Sequence, residues 1–229
     1  MTTRSVYDPR VDHPPRLLTR PLPSGRELTA DDLCDDPYWT YSVIDGVLAA
    51  ARPGYALTAE DLETIPKQPL WKYEVIDGTL MVSRNAPGMR HQDCVLSLGL
   101  MFRQACPPDL KPIMAPFEYR PGEIHSVQPD VMIVRRSGGN LDYLTVPPVL
   151  VVEVLSCSTQ RYDRTKKWDL YRRTGVEHYW IVDPAGPSIE VFRLTDDEYV
   201  AATKAVAGQL LAVQEPVPLR FDPRALLDE

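Results

Sequence analysis

The stretch from Pro148 to Leu155 is an apolar run with one carboxylate, that of Glu153, near its middle. Six of its residues are Val or Leu, and this length and β-branched content predict a strand that is buried on both faces. Because side chains alternate along a strand, Glu153 shares one face with Val151 and Leu155. A carboxylate in such a strand is costly unless a cation or a hydrogen-bond donor meets it. The fold must therefore bring a partner to Glu153.

The composition is that of an ordinary globular chain. Hydrophobic residues make up 44% of the 229 residues and charged residues 25%. The net charge of −7 argues against a broad nucleic-acid-binding surface but allows a local basic patch. No apolar run reaches the length of a membrane span and no signal-peptide core is present, so we expect a cytoplasmic protein without membrane contact. The cysteines lack CxxC spacing, which predicts free or buried thiols: Cys34, Cys94, Cys106 and Cys157.

An internal repeat organises the N-terminal part of the chain. The segment 28–33 matches 57–62, and the segment 39–48 matches 71–80. In each copy a threonine before acidic residues predicts a helix start, and Ile-Asp-Gly predicts a tight hairpin turn. Ser42 in the first copy stands where Glu74 stands in the second, so the first is a degenerate duplicate, kept for packing or for a partner.

The domain organisation follows from this repeat. We expect an extended or disordered arm over 1–27, where prolines and arginines are scattered without apolar periodicity. The degenerate helix–hairpin then covers 28–56, and the main domain covers 57–229. We also expect a chain that lacks residues 1–54 to fold.

The remaining elements predict an α/β fold with a central mixed sheet flanked by helices. Met89 to Cys106 carries an apolar stripe typical of a helix, and a second helix is predicted from about Arg164 to Thr174. Apolar runs of strand length predict strands at 128–135, 148–156 and 178–182. We also expect an edge hairpin at 188–203, and a short strand with a helical half-turn at the end of the chain.

Two carboxylates, those of Asp130 and Glu153, are predicted to converge because their strands follow each other in the chain. Two carboxylates about 4 Å apart repel by roughly 4 kcal/mol at an effective dielectric constant of 20. Such a pair needs a proton or a cation, and hard oxygen ligands without a His or Cys cluster favour Mg²⁺ or Mn²⁺. Alternatively, Asp130 caps a turn and Glu153 pairs with a structural lysine. His91, on an apolar helix stripe, fits a buried core histidine better than a functional one on this pattern alone.

Several motifs, in order, resemble the Uma2 family of restriction-endonuclease-like proteins within the PD-(D/E)XK nuclease superfamily. The resemblance covers about 57–229. The matching pieces are Tyr73 to Gly78, Arg90 to Gln92, Pro129 to Val131, Val152 to Ser156, Ser158-Thr159, Asp163, Lys167, Leu170-Tyr171, Gly175-Val176 and Tyr179 to Pro184.

The resemblance implies a restriction-endonuclease-like core, preceded here by the degenerate duplicate, in which Asp130 and Glu153 hold a divalent metal. The superfamily signature expects a lysine two residues after the glutamate, where this chain has Leu155. In Uma2-like sequences a lysine of the next helix substitutes, and Lys167 occupies that position. Glu74 and His91 also lie in matching motifs. The resemblance implies that Glu74 is a further metal ligand, directly or through water, and that His91 contacts phosphate.

The implied reaction is metal-assisted hydrolysis of phosphodiester bonds in nucleic acid, with DNA favoured. The backbone carbonyl of Val154 would complete the metal site, and Lys167 would orient the water or stabilise developing charge. Residues for positioning the backbone follow on the same helix: Arg161, Arg164 and Lys166.

Two other functions fit the same sequence. One is a non-catalytic binding or assembly protein on a nuclease-like core, favoured by the acidic net charge, the displaced lysine and the extra repeat. The other is a metal-dependent hydrolase acting on something other than DNA. An exposed hairpin edge also allows a homodimer.

Overall fold

The computed structural model describes residues 15, 18, 21–23, 26, 28–44, 46–85, 87–137, 142–156 and 159–227. These residues form two compact units. The N-terminal unit comprises the described residues up to 85 together with Glu123–His125, and the C-terminal unit comprises Pro87–Gly122 and the described residues from 126 onwards. The predicted arm over 1–27 lies largely outside the described residues. The boundary predicted at residue 57 stays a prediction.

The N-terminal unit is an antiparallel sheet of two hairpins. Its strands are β1 (Thr40–Ile44), β2 (Val47–Ala51), β3 (Trp71–Ile76) and β4 (Thr79–Arg84), in the order β1-β2-β4-β3. A 3₁₀ turn over Ala30–Asp32 precedes the first hairpin, and helix α1 (Ala59–Thr64) precedes the second. One face of the sheet carries an apolar core to which both hairpins contribute.

The helix-start and turn signals of the repeat form the structures that the sequence predicts. Thr29 with Asp32, and Thr58 with Asp61, both form capping boxes at the start of their helical turns. In the second hairpin, Asp77 and Gly78 take positive φ values of 51° and 67°, as a two-residue turn of the primed type requires. The corresponding turn of the first hairpin includes position 45, which lies outside the described residues.

The C-terminal unit is built on a mixed sheet with the strand order β12-β11-β10-β9-β7-β5. Its strands are β5 (Leu110–Met114), β7 (Val131–Arg135), β9 (Leu150–Val154), β10 (His178–Asp183), β11 (Ser188–Thr195) and β12 (Glu198–Val206). The apolar run is the central strand β9, which is parallel to β10 and antiparallel to β7. The predicted mixed sheet is confirmed.

Smaller elements complete this unit. A parallel pair joins β6 (Glu118–Tyr119) to β8 (Tyr143–Leu144), and an antiparallel pair joins β13 (Leu211–Val213) to β14 (Leu219–Phe221). A 3₁₀ turn covers Pro223–Leu226. Helix α2 (Met89–Ala105) packs Cys94, Leu98 and Phe102 into the apolar core on one face of the large sheet. Leu150, Val152 and Val154 of β9 belong to that core, so Glu153 points to the other face.

The helix predicted from about Arg164 begins earlier, and that predicted start is wrong. It consists of α3 (Gln160–Tyr162), a π-helical turn (Asp163–Lys167) and α4 (Trp168–Arg173), which follow each other without a break. Among the described residues, no helix is long and apolar enough to cross a membrane. Cys34, Cys94 and Cys106 are free thiols, whereas Cys157 lies outside the described residues.

Candidate functional site

Glu153 has the partners that its burial requires. Its carboxylate accepts a hydrogen bond of 2.6 Å from the Tyr171 hydroxyl and lies 2.9 Å from the Lys167 ammonium. Lys167 also lies 3.2 Å from a carboxylate oxygen of Asp163. Glu153, Asp163 and Lys167 are each at most 3% exposed. The site therefore encloses two carboxylates, one ammonium and one phenol, a set that we call the buried charge cluster.

The π-helical turn brings three of these side chains to one side of the helix. Asp163, Lys167 and Tyr171 are spaced by four residues, and in a regular α-helix each such step rotates about 40° past a full turn. The π-helical turn over Asp163–Lys167 is wider, with the Trp168 amide bonding back to the Asp163 carbonyl, and it reduces this drift. Turns of this kind are frequent at functional sites.

Asp130 is fixed at the start of β7 by the neighbouring strand. Its carboxylate accepts a hydrogen bond of 2.8 Å from the Val154 amide, directly after Glu153. His91 of helix α2 approaches the same carboxylate oxygen, with its Nε2 3.3 Å away. The Nδ1 atom of His91 is buried and lacks a hydrogen-bond partner among the described residues. The structure thus groups His91, Asp130 and β9 in one place.

The strand register brings Asp130 and Glu153 to neighbouring positions on two paired strands. Val131 of β7 lies opposite Val152 of β9 in an antiparallel pair. Asp130 directly precedes β7 and Glu153 directly follows Val152 in β9, so both residues lie at the same end of this strand pair. The Asp130 carboxylate turns to the Val154 amide and to His91 of helix α2, whereas Glu153 points away from the core that α2 covers. In the described part of the chain, no group of three or more His, Cys, Asp or Glu side chains has an arrangement that could hold a metal ion.

The surroundings of the buried charge cluster are aromatic. Tyr179 donates a hydrogen bond of 3.0 Å to the Asp163 carbonyl, and its ring packs against Tyr171. Burial raises the pKa of Tyr179 well above its ordinary value, and the charges of Glu153 and Asp163 add to that effect. Trp168 packs on Tyr179 edge to face. Charges in such surroundings interact more strongly than in water.

The basic residues predicted to bind substrate lie on the outside of the same helix. Arg161, Arg164 and Lys166 are exposed. Arg164 forms a two-bond contact with Glu190, at 2.9 and 3.2 Å, and that hydrogen bonding raises the pKa of Arg164 and lowers that of Glu190. Arg164 is therefore already engaged, whereas its role toward a substrate remains a prediction.

Glu74 belongs to the N-terminal unit, on strand β3. Its side chain is 1% exposed, and one carboxylate oxygen lies 3.3 Å from the Lys72 ammonium. Ser42, its counterpart in the first hairpin, is exposed. The second copy thus keeps a buried acidic residue that the first has lost, and a role of Glu74 as a ligand stays a prediction.

Asp163 and Tyr171 are the members of the cluster that sequence reasoning did not assign a role. Asp163 lies in a polar segment before the predicted helix start, and Tyr171 fits a core aromatic. The signal that could have found them is the repeated four-residue spacing around Lys167, which places charged and hydroxyl groups on one helical face.

Comparisons with known proteins agree with the resemblance seen in the motifs. The model of the Uma2 family, described as "Putative restriction endonuclease", matches residues 59–226, which is more than half of the chain. A crystal structure of a protein described as a putative nuclease belonging to DUF820, from Anabaena variabilis, is similar with a TM-score of 0.58 and 18% sequence identity. The similarity covers 74% of this chain and 97% of that one, and at this identity it shows the fold. None of the curated proteins matches the chain.

Proposed function

Because the chain belongs to the Uma2 family, we propose that it is a metal-dependent nuclease that hydrolyses phosphodiester bonds of nucleic acid. The observation that carries the proposal is the buried Glu153, which meets the Lys167 ammonium and is followed in β9 by Val154, whose amide donates a hydrogen bond to Asp130. A purely apolar core has no need of this arrangement, because burying charges costs more than burying well-packed apolar residues of similar volume.

The residues proposed to hold Mg²⁺ or Mn²⁺ are Asp130 and Glu153, together with the backbone carbonyl of Val154. Two carboxylates and a carbonyl fit these ions, which use one or two protein carboxylates and complete their shell with water and substrate phosphates. When bound, the ion would lower the pKa of a water molecule and neutralise charge on the phosphate. The amide of Val154, which follows Glu153 in β9, positions Asp130 for this role by donating a hydrogen bond to its carboxylate.

Lys167 is proposed to supply positive charge to the reaction. Its ammonium is held between Glu153 and Asp163, so it is fixed before any substrate arrives. A fixed ammonium stabilises negative charge that develops at the phosphate without first reorganising. Tyr171 orients Glu153 by donating to one carboxylate oxygen and leaving the other to Lys167.

The other predicted residues have supporting roles in this proposal. His91 would contact phosphate beside Asp130, whereas a role of Glu74 as a ligand stays a prediction from the family resemblance. Arg161, Arg164 and Lys166 would bind the nucleic-acid backbone without reading sequence. DNA as the substrate, a homodimer and a cytoplasmic location stay predictions.

A second function is favoured by a specific feature of the site. Both oxygens of Glu153 have partners within the protein, and the described part of the chain has no group of three or more His, Cys, Asp or Glu side chains that could hold a metal ion. A nuclease-like binding or assembly protein that has exchanged its metal for Lys167 would have the same contacts.

Cleavage assays separate these functions. The full chain is incubated with supercoiled plasmid, single-stranded DNA and RNA, with Mg²⁺, with Mn²⁺ or with EDTA. The proposal predicts metal-dependent cleavage that Glu153→Gln abolishes and Glu177→Gln leaves intact, since Glu177 is exposed and lies outside the cluster. Metal binding without cleavage would favour the binding protein. Cleavage that survives Glu153→Gln would place the activity elsewhere.

Asp130→Asn adds a second test of the metal site. The asparagine oxygen can still accept the hydrogen bond from the Val154 amide, so we expect nearly the same unfolding temperature in EDTA. The added stability that Mn²⁺ gives the unmodified chain should be missing in this variant, because binding to the native state alone raises stability. An equal gain in both proteins would argue against Asp130 as a ligand.

A further inference from the structure

We propose that the first helix–hairpin module, residues 28–52, is an in-chain substitute for a second copy of this protein. In this proposal the module occupies the edge of strand β4, where the second module of another chain would otherwise pair. The inference concerns assembly, and it does not depend on whether the chain cleaves nucleic acid.

The pairing between the two hairpins has the symmetry of a dimer interface. Strand β2 pairs with β4 antiparallel, with Ala49 opposite Met81. The repeat offset of 32 residues makes Ala49 and Met81 equivalent positions, so a pseudo-two-fold axis passes between them. The pairs on either side obey the same symmetry, because Leu48 lies opposite Val82 and Ala50 lies opposite Leu80, the equivalent of Leu48. In a two-fold interface each contact recurs in this way with the partners exchanged.

The apolar core of the N-terminal unit is symmetric in the same sense. Equivalent residues of the two copies lie in one cluster: Leu28 with Leu57, Trp39 with Trp71, Leu48 with Leu80, and Ala50 with Val82. Tyr41 and Val43 pack against this cluster from the first copy, as the equivalent Tyr73 and Val75 do from the second. Each module therefore completes the core of the other.

The repeat is longer in the structure than its most obvious sequence match. Arg52 is equivalent to Arg84, and each lies at the end of its hairpin beside the first tryptophan, Trp39 or Trp71. The Arg52 guanidinium is buried, 5.9 Å from the centre of the Trp39 ring. Over 39–52 and 71–84, eight of fourteen positions are identical.

The differences between the copies show which face has been kept. Five of the six differing positions lie on the face away from the shared core: Thr40, Ser42, Val47, Ala49 and Ala51. Ala50 is the exception, and it faces the core. The first copy has thus kept the side chains that complete the core and the strand that covers β4, whereas it has lost the carboxylate equivalent to Glu74.

Without the first module, β4 would be an unpaired edge strand with which another chain could pair. Its outer side would present unpaired backbone groups next to Leu80 and Val82, which are fully buried in the intact chain. The strand that fits this edge in register is another β4, with Met81 opposite Met81 on the two-fold axis. By supplying that strand itself, the chain limits pairing at this edge to its own two modules.

Disulfide trapping in the full chain tests the proposal. Opposed residues of an antiparallel pair have Cα atoms about 4.5–5.5 Å apart, which suits a disulfide. Ala49→Cys with Met81→Cys should give a bond within one chain, and Met81→Cys alone should give no bond between chains. The parent chain with its native cysteines is the control for other links.

Displacing the first module should then admit a second chain. Ala49→Pro removes a backbone donor from the strand between β1 and β4, where proline is not tolerated. In this background Met81→Cys should yield a disulfide-linked dimer on non-reducing gels, at least tenfold more than in Met81→Cys alone. The proposal would be overturned if Met81→Cys gave equal amounts of disulfide-linked dimer with and without Ala49→Pro. It would also be overturned if the double variant folded but formed no disulfide between chains.

A milder variant keeps the proposal testable if the proline variant does not fold. Ala50→Val gives Leu80 the same valine partner that Leu48 already has in Val82. If the core is symmetric, space for the added methyl groups exists, and the unfolding temperature should stay within about 2 °C or rise. A fall of more than about 5 °C, as expected for an overpacked core, would contradict it.

Discussion

Replacing Lys167 with methionine removes the positive charge from the buried charge cluster while keeping most of the side-chain volume. Lys167 is 3% exposed, and its ammonium lies within 3.2 Å of carboxylate oxygens of both Glu153 and Asp163. With all three groups ionised, the cluster carries a net charge of −1, and the variant would carry −2. Both carboxylates are almost fully buried, so bulk solvent does little to replace the lost ammonium.

The magnitude follows from this geometry. Removing one partner of a buried ion pair costs about 3–5 kcal/mol, since it leaves a charge without compensation. For a chain of this size, each 1 kcal/mol lowers the unfolding temperature by roughly 2–4 °C, so a fall of about 6–20 °C is expected at pH 7. Without the ammonium, burial favours the protonated carboxyl groups, so the variant takes up protons at a higher pH than the parent does. The difference between the two proteins should therefore shrink as the pH falls from 7 toward about 4.

The assay compares thermal unfolding, followed by circular dichroism, for Lys167→Met and Lys166→Met. Lys166 is the adjacent residue and is exposed, so its variant makes the same charge change and should cost no more than about 0.5 kcal/mol. Glu153→Gln added to Lys167→Met should cost less than the sum of the two single changes, with a coupling of at least about 1 kcal/mol. Equal, small effects of Lys166→Met and Lys167→Met would refute the reasoning.

Further predictions concern a hydrogen bond, a turn and a thiol. Tyr171→Phe removes the 2.6 Å bond to Glu153 and should lower the free energy of unfolding by about 1–3 kcal/mol in denaturant titrations, and an unchanged value would contradict the role given to the hydroxyl. Gly54→Ala should cost about 1 kcal/mol because φ is +76° in open space, whereas Gly78→Ala should cost about 1–3 kcal/mol more, since a Cβ there would lie 2.6 Å from another Cβ. Burial raises the pKa of the Cys94 thiol to about 11, so its contribution to stability is complete below its ordinary value of 9.0 and is lost as the pH rises from there to about 11. In thermal melts between pH 8 and 11, the unfolding temperature of Cys94→Ala should fall less steeply with pH than that of the parent chain. An equal fall in both proteins would contradict the prediction.

The strands that form the sheet centre could be predicted because their composition leaves few alternatives. The run around Glu153 is too short for a buried helix of ordinary length and is rich in β-branched residues, and it forms β9 as expected. Strand β5 was not predicted, because Pro112 lies within it. That strand is at the edge of its sheet, where a residue without an amide donor is tolerated.

The helix that follows β9 shows the limit of periodicity. Its first turns bury the charged residues Asp163 and Lys167 beside Tyr162, so they carry no continuous apolar stripe and periodicity predicts too late a start. The need for a partner at Glu153 was evident from the sequence, and Lys167 was named from the family resemblance. That Tyr171 also bonds Glu153 depends on how the helix docks on the sheet, which local sequence does not contain.

The most direct test of the metal site is the location of Mn²⁺ in crystals of the full chain soaked in that ion. The proposed function predicts an anomalous difference peak bounded by the carboxylates of Asp130 and Glu153, with the Val154 carbonyl as a third ligand. It also predicts that Glu153→Gln crystals lack the peak. A crystal in which Mn²⁺ binds only elsewhere, while Lys167 remains paired with Glu153, would contradict the metal site and leave the binding protein as the better account.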